Sequence, residues 1–248
     1  MKAKARRERL DILLVERGLA DSTQKALAMI LAGEVQVDGS RAAKAGDAIA
    51  TDARIEIFGR ALKFASRGGF KLESALDDFS VNPAGSVCLD VGSSTGGFTD
   101  CLLQHGAKRI YSVDVNIGQL AWKLQQDTRV MRIECNAREI RPEDFLEPVD
   151  LVVVDVSFIS VEKVLTPVAA IAKPGAVFLI LIKPQFELPK KDVGSGGIVA
   201  DVALHEKAIE KVRRTAVSTG LECLSVRPSR LAGAEGNQEY FLHARKSS

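Results

Sequence analysis

From Val87 to the end of the chain, short apolar runs of strand length alternate with helix-length segments, and this alternation limits the fold more than any other feature. Strands are predicted at Val87–Val91, Arg109–Val115, Val130–Glu134, Leu151–Asp155 and Ala176–Ile182. Strand and helix in succession build a parallel sheet covered by helices on both faces. A helix follows at Ala203–Ser218, then strands at Leu221–Arg227 and Glu239–Ala244. The last two are separated only by a turn-rich loop, so they cannot be parallel neighbours and the sheet ends antiparallel. The expected class is α/β: a Rossmann-like, mostly parallel doubly wound sheet with an antiparallel last strand.

The first 60 residues read differently. A short helix at Arg9–Arg17 carries Leu10, Leu13 and Leu14 on one face and stops at Gly18. A second, capped by Asp21 or Ser22, turns Ala26, Met29 and Ile30 inward and ends at Gly33. Val35 and Val37 alternate with polar residues before an Asp38-Gly39 turn, and a further strand is predicted at Arg54–Ile57. The chain therefore divides into a small α+β domain over 1–60, a linker and first catalytic-domain helix over 61–86 (helical from Phe70 to Phe79), and a larger domain over 87–248. Residues 1–65 carry a net charge of +3, which leaves −1 for the rest of a chain whose net charge is +2. The positive excess at the front suits a polyanionic partner.

Several classes are disfavoured. The longest apolar runs, Ala26–Ala32 and Ala176–Ile182, are too short to cross a bilayer, and Asp11 and Glu16 interrupt the apolar segment a signal peptide would need. A cytoplasmic protein is expected. Cys88, Cys101, Cys135 and Cys223 form no CxxC pair, and His105, His205 and His243 are isolated, so neither a disulfide framework nor a metal site is expected.

Cys88-Leu89-Asp90-Val91-Gly92-Ser93-Ser94-Thr95-Gly96-Gly97-Phe98 closes the first strand of the large domain and opens the next helix. It lacks both the dinucleotide GxGxxG spacing and the Lys-Ser/Thr ending of a P-loop, yet its glycines let backbone approach a ligand. Asp114, Asn136 and Asp155 end or follow successive strands, and polar residues at the carboxyl ends of parallel strands define one crevice.

The segment RLDILLVERGLADSTQKALAMILAGEVQVDG resembles the RNA-binding domain named after ribosomal protein S four, over roughly residues 7–60. That resemblance implies phosphate contacts from Arg6, Arg7, Arg9, Lys25 and Arg41, which position a protein on RNA without reading sequence. The Asp-Val-Gly-x-x-x-Gly-Gly turn resembles the first motif of class I methyltransferases. The resemblance implies S-adenosylmethionine as cofactor, with Asp90 and the loop Gly92, Ser93, Ser94, Gly96, Gly97 and Phe98 at its methionyl part, Asp114 at the ribose, Asn136 at the adenine, and Asp155 at the same sheet edge.

SRGGFKL, VVVDVSFIS, LILIKPQFE and GNQEYFLH are similar to the contexts of the Lys-Asp-Lys-Glu tetrad of FtsJ-like ribose 2′-O-methyltransferases, and imply Lys71, Asp155, Lys183 and Glu239 as the catalytic set. Over nearly the full chain the combination resembles the hemolysin A (TlyA) family. This implies 2′-O-methylation of a ribose, that of cytidine, in ribosomal RNA within a ribosomal subunit. IECNAR departs from the family pattern on the adenine side. Lys183 is either the base for the acceptor hydroxyl or only its orienting group, since an ordinary lysine holds its proton at neutral pH. Arg67, Lys190 and Lys191 are further RNA candidates, the last two on a basic, glycine-rich loop (190–197) that is either a lid or an ordinary solvated loop. Rival readings are a noncatalytic RNA- or ribosome-binding protein, a base methyltransferase and a membrane-active hemolysin.

Overall fold

The computed structural model describes residues 7–247 except 18, 21, 43, 58–62 and 234–235; of Arg41 only the backbone is described. Two compact units, Met1–Lys63 and Phe64–Ser248, are taken separately.

In the first unit β1 (Arg7–Arg9), α1 (Leu10–Glu16), α2 (Thr23–Leu31), β2 (Val35–Val37), β3 (Ser40–Arg41), β4 (Ala48–Ala50) and β5 (Ile55–Ile57) follow in order. Leu10 and Leu14 of α1 pack with Ala26, Met29 and Ile30 of α2 and with Val35, the apolar faces expected from the spacing. The Ser22 side chain accepts a hydrogen bond from the Lys25 N–H (3.1 Å), the N-cap anticipated there; Asp21 and Gly18 lie outside the described residues. Asp38 and Gly39 both take left-handed φ (49° and 80°), the twist that lets β2 and β3 form a tight antiparallel hairpin. β5 pairs with the other edge of β2. The antiparallel β1–β4 pair was not anticipated, because Arg7-Glu8-Arg9 has no apolar alternation to announce it.

The second unit runs through α3 (Gly68–Phe79), β6 (Val87–Val91), α4 (Gly97–Gln104), β7 (Arg109–Asp114), α5 (Trp122–Gln125), β8 (Val130–Glu134), β9 (Val149–Val154), α6 (Leu165–Ile171), β10 (Ala172–Ile182), α7 (Pro184–Glu187), α8 (Val202–Ser218), β11 (Leu221–Pro228) and β12 (Tyr240–Lys246). Its seven-stranded sheet has the order β11-β12-β10-β9-β6-β7-β8. β10, β9, β6, β7 and β8 are parallel, while β12 inserts antiparallel between β10 and β11. The expected α/β class and antiparallel ending are thus both found. The chain leaves β6 for β7 on one side and returns to β9 on the other, so the switch point lies at the carboxyl ends of β6 and β9.

Residue parity sorts the side chains of these strands into two cores. Leu89 and Val91, Val152 and Val154, and Phe178 and Ile180 face a layer with Leu165 and Val168 of α6 and Val212 of α8. Cys88, Leu151 and Val153, Leu179 and Leu181, and Phe241 face Leu72 and Leu76 of α3 and Phe98 and Leu102 of α4. Both faces being covered, the central strands read as continuous apolar runs.

Leu89 is fully buried on β6, which has a neighbour on each side. Leu89→Ala is expected to lower the unfolding free energy by about 2–5 kcal/mol, read from urea unfolding; a loss under about 1 kcal/mol would mean that this layer closes over the gap.

Candidate active site

The parity that builds the second core also gathers charge. Asp155 and Lys183 continue the phase of Val153 and Leu181, Glu239 that of Phe241, and Lys71 sits on α3, which covers the same face. Lys71 Nζ lies 2.5 Å from Glu239 Oε2, and Lys183 Nζ lies 2.5 Å from Asp155 Oδ1. Lys183 also donates to Ser157 Oγ at 2.7 Å. Lys183 and Glu239 are buried, Glu239 almost completely. The two buried charges, Lys183 and Glu239, are tolerable because each has an opposite, partly buried partner at contact distance. The tetrad is therefore two ion pairs.

The glycine turn is built by close approach. Gly92 has φ +85°, and a Cβ there would collide with the carbonyl oxygen of Asp155, so the β6 and β9 ends meet backbone to backbone at the switch point. The Gly92 and Ser93 N–H groups both donate to the Val113 carbonyl (2.9 and 3.1 Å), pinning the turn to β7. At Gly97 a Cβ would strike Ser66 Oγ, so the turn and the Ser66-Arg67-Gly68-Gly69 segment before Lys71 also pack at backbone distance. Asp100, in the first turn of α4, accepts the Ala65 N–H at 2.7 Å and holds that segment down.

Two cavities adjoin at Gly92, Ser94 and Asp155. The larger, about 1120 Å³, is lined by Asp114, Asn136, Phe158, Gln185, Phe186 and Lys190 among others. The smaller, about 290 Å³, is lined by Arg67, Lys71, Ser93, Gly97, Phe98 and Gly233 among others. Asp114 is oriented by its own loop: its carboxylate accepts the Ser94 N–H and the Asn116 N–H, each at 2.9 Å. The Asn136 side-chain oxygen accepts from the Arg138 N–H and Nε at 3.1 Å. Gly96 lies against Leu120 and Leu124, not against either cavity.

Asp90 is entirely buried on the α4 face, opposite Ser112 in the β6–β7 register. Thr99 Oγ1 donates to Asp90 Oδ2 at 2.6 Å and lies 2.8 Å from Ser112 Oγ. Asp90 Oδ1 has no partner, nor does the buried hydroxyl of Ser93 three residues on. Burial pushes the Asp90 carboxyl up from 3.8 to about 7, partly offset by the Thr99 hydroxyl bond.

Among the RNA candidates, Arg67 and Lys190 line the smaller and larger cavity respectively, and Lys191 is exposed. In the first unit Arg7 donates to the Ala48 carbonyl through Nε and Nη2, and Arg9 forms a two-pronged pair with Asp11, so both guanidinium groups are engaged within the domain. Lys25 is exposed on α2; Arg6 and the Arg41 side chain lie outside the described residues. Sequence reasoning missed Ser157, although it sits inside the quoted DVSF context. It also missed the Thr99–Ser112 pair, which only strand register brings to Asp90.

A doubly wound sheet whose glycine turn meets a lysine–carboxylate constellation at the switch point defines a group-transfer enzyme of the methyltransferase type. The chain belongs to the FtsJ-like methyltransferase family, whose model matches residues 64–246, and an S4 domain model matches residues 8–55. It is 45% identical over 243 residues to the 16S/23S rRNA (cytidine-2′-O)-methyltransferase TlyA of Mycobacterium tuberculosis, covering 97% of this chain and 91% of the relative. Hemolysin A of Brachyspira hyodysenteriae is 40% identical, over 95% of this chain and 98% of its own length. A Streptococcus thermophilus protein of known structure superposes with a TM-score of 0.78 at 38% identity, covering 99% of this chain and 90% of that one.

The raised Asp90 carboxyl ties stability to pH. A folded value above the unfolded one favours folding fully below about pH 4, and that contribution is lost as pH rises through about 7. Urea unfolding across pH 5–8 should therefore show wild type losing about 2–3 kcal/mol more than Asp90→Asn, which cannot ionise there. Identical pH slopes for the two proteins would contradict this.

Proposed function

We propose that this protein transfers a methyl group from S-adenosylmethionine to the 2′-hydroxyl of a ribose, that of cytidine, in ribosomal RNA. The observation that carries the reading is the pair of largely buried Lys–carboxylate contacts beside the junction of two cavities. A base methyltransferase would have no evident use for two such lysines.

The residues present fit the cofactor. The unpartnered Asp90 Oδ1 and Ser93 Oγ suit an ammonium at the amino-acid end, and the preoriented Asp114 carboxylate suits a ribose diol. Asn136, in the larger cavity, suits the adenine side. When bound, S-adenosylmethionine supplies an electrophilic methyl on a sulfonium centre.

A ribose hydroxyl is a poor nucleophile at neutral pH, so its rate depends on alignment and on handling its proton. Asp155 and Ser157 together hold the Lys183 Nζ from two sides, which leaves its remaining valence for the acceptor oxygen. We assign Lys183 the acceptor hydroxyl, with Asp155 fixing the lysine: as the oxygen takes the methyl its O–H bond breaks and the proton leaves to water, while the lysine orients the oxygen. Lys71, held by Glu239 and lining the smaller cavity with Arg67, steers the nucleotide. Arg67, Lys190 and Lys191 supply positive charge for RNA phosphates on this unit, and Lys25 on the first.

Labelled methyl transfer to purified ribosomal subunits tests this. Wild type is expected to make a ribose resistant to alkaline cleavage, and Lys183→Ala to lower the rate about 10²–10⁴-fold with cofactor affinity retained. Transfer to a base, or no transfer from protein that binds the cofactor, would overturn the reading.

A further inference from the structure

The segments that leave β9 and β10 run side by side and are joined at three points. At the near end Lys183 meets Asp155 and Ser157. In the middle the ring of Phe158, almost wholly exposed to solvent, leans toward that of Phe186 with centroids 5.2 Å apart. At the far end Glu187, buried at the close of α7, reaches the first segment: Ser160 Oγ donates to Oε2 at 2.6 Å, and the Val161 N–H donates to Oε1 at 2.8 Å. Lys211 of α8 then ties both sides together. Its Nζ donates to Ser160 Oγ and to the Glu187 carbonyl, each at 3.0 Å, and lies 3.4 Å from Glu187 Oε2 and 3.3 Å from Glu162 Oε2.

We infer that Glu187, acting through Ser160 and Lys211, is a positioning residue for methyl transfer: it sets the spacing of the β9 and β10 exit segments, and hence the place of the Lys183 ammonium against Asp155. Only three residues separate Lys183 from Glu187, and four separate Asp155 from Ser160, so a slip at the far end reaches the near one. Phe158 reinforces the point. Its φ of +63° is a left-handed conformation that is costly for a bulky residue, and its ring is exposed, so the backbone on either side must hold it. The clamp holds the segment on both sides of that residue. Glu187 is buried while Ser160 and Lys211 are half-buried, so the Glu187 carboxylate is the member that loss of these hydrogen bonds would cost most. Ser160, Gln185 and Phe186 also line the larger cavity, so the clamp shapes the wall beside the acceptor position.

The inference rests on the reaction proposed above, and two readouts separate them. The first is a double-mutant cycle of Glu187→Gln with Ser157→Ala, followed by methyl transfer to ribosomal subunits. Glu187→Gln is expected to lower kcat about 10–100-fold. The KM for S-adenosylmethionine should stay within about 2-fold. In the Ser157→Ala background the loss should be much smaller, because both changes loosen the same ammonium. Equal losses in the two backgrounds, or a raised KM in place of a lowered kcat, would overturn the assignment. Ser160→Ala carries the same cycle if Glu187→Gln does not fold. The second readout is amide hydrogen exchange over residues 156–161, expected to quicken in Glu187→Gln. Unchanged exchange would sink the clamp, while wild type that transfers no methyl would sink the reaction and leave the exchange result standing.

Discussion

The second unit depends on a contact with no side chain in it. Gly92 at the end of β6 sits against the carbonyl oxygen of Asp155 at the end of β9, closer than any Cβ would allow. The Asp155 N–H in turn donates to the Val91 carbonyl at 2.9 Å, so the two strand ends are locked together at the point where the sheet reverses its order. Everything chemical hangs from that lock. It sets Asp155 beside the glycine turn and lets the turn fold back onto β7. It also places the boundary between the two cavities at residues that belong to both strand ends.

Much of this was legible because two periodicities carry it. The strands of the parallel sheet show as unbroken apolar runs, and the site residues share one parity: Asp155 follows Leu151 and Val153, Lys183 follows Leu179 and Leu181, and Glu239 precedes Phe241. A reader who places the strands can place the three on one face. Lys71 follows too, since Leu72 and Leu76 turn α3 toward that face. Which lysine meets which carboxylate was not legible, because it depends on the antiparallel insertion of β12 beside β10, with Tyr240 opposite Ile182. The same limit hid Ser112 from Asp90, which register alone makes neighbours. It also hid the Glu187 network, whose members come from α7, the turn after β9 and α8. In the first unit the three-residue strands β1 and β4 escaped notice because so short a pattern has no period to read.

The electrostatics of the site divide by how each charge is held. Lys71, Glu239, Lys183 and Asp155 are compensated by one another, so removing Lys71 leaves Glu239 buried without its counter-charge. Asp114 is held by backbone N–H groups of its own loop and stays available to a ligand. Asp90 is the exception, buried with one oxygen unpartnered and its carboxyl lifted to about 7 by desolvation. A polar group kept in that condition stores unfavourable energy that a cationic ligand group would relieve.

This division bears on how Lys183 can serve at the acceptor oxygen. Alignment demands that the Lys183 Nζ not wander, and a lysine has four rotatable bonds along which to do so. The site answers with contacts at successive distances: Asp155 and Ser157 at Nζ, the Phe186 ring 5.8 Å from Nζ, and the Glu187 clamp at the end of the same segment. Alignment of a weak nucleophile is worth several powers of ten in rate, whereas one added hydrogen bond is worth about one. Residues that never touch the ribose can therefore weigh on the reaction through the position of the one that does.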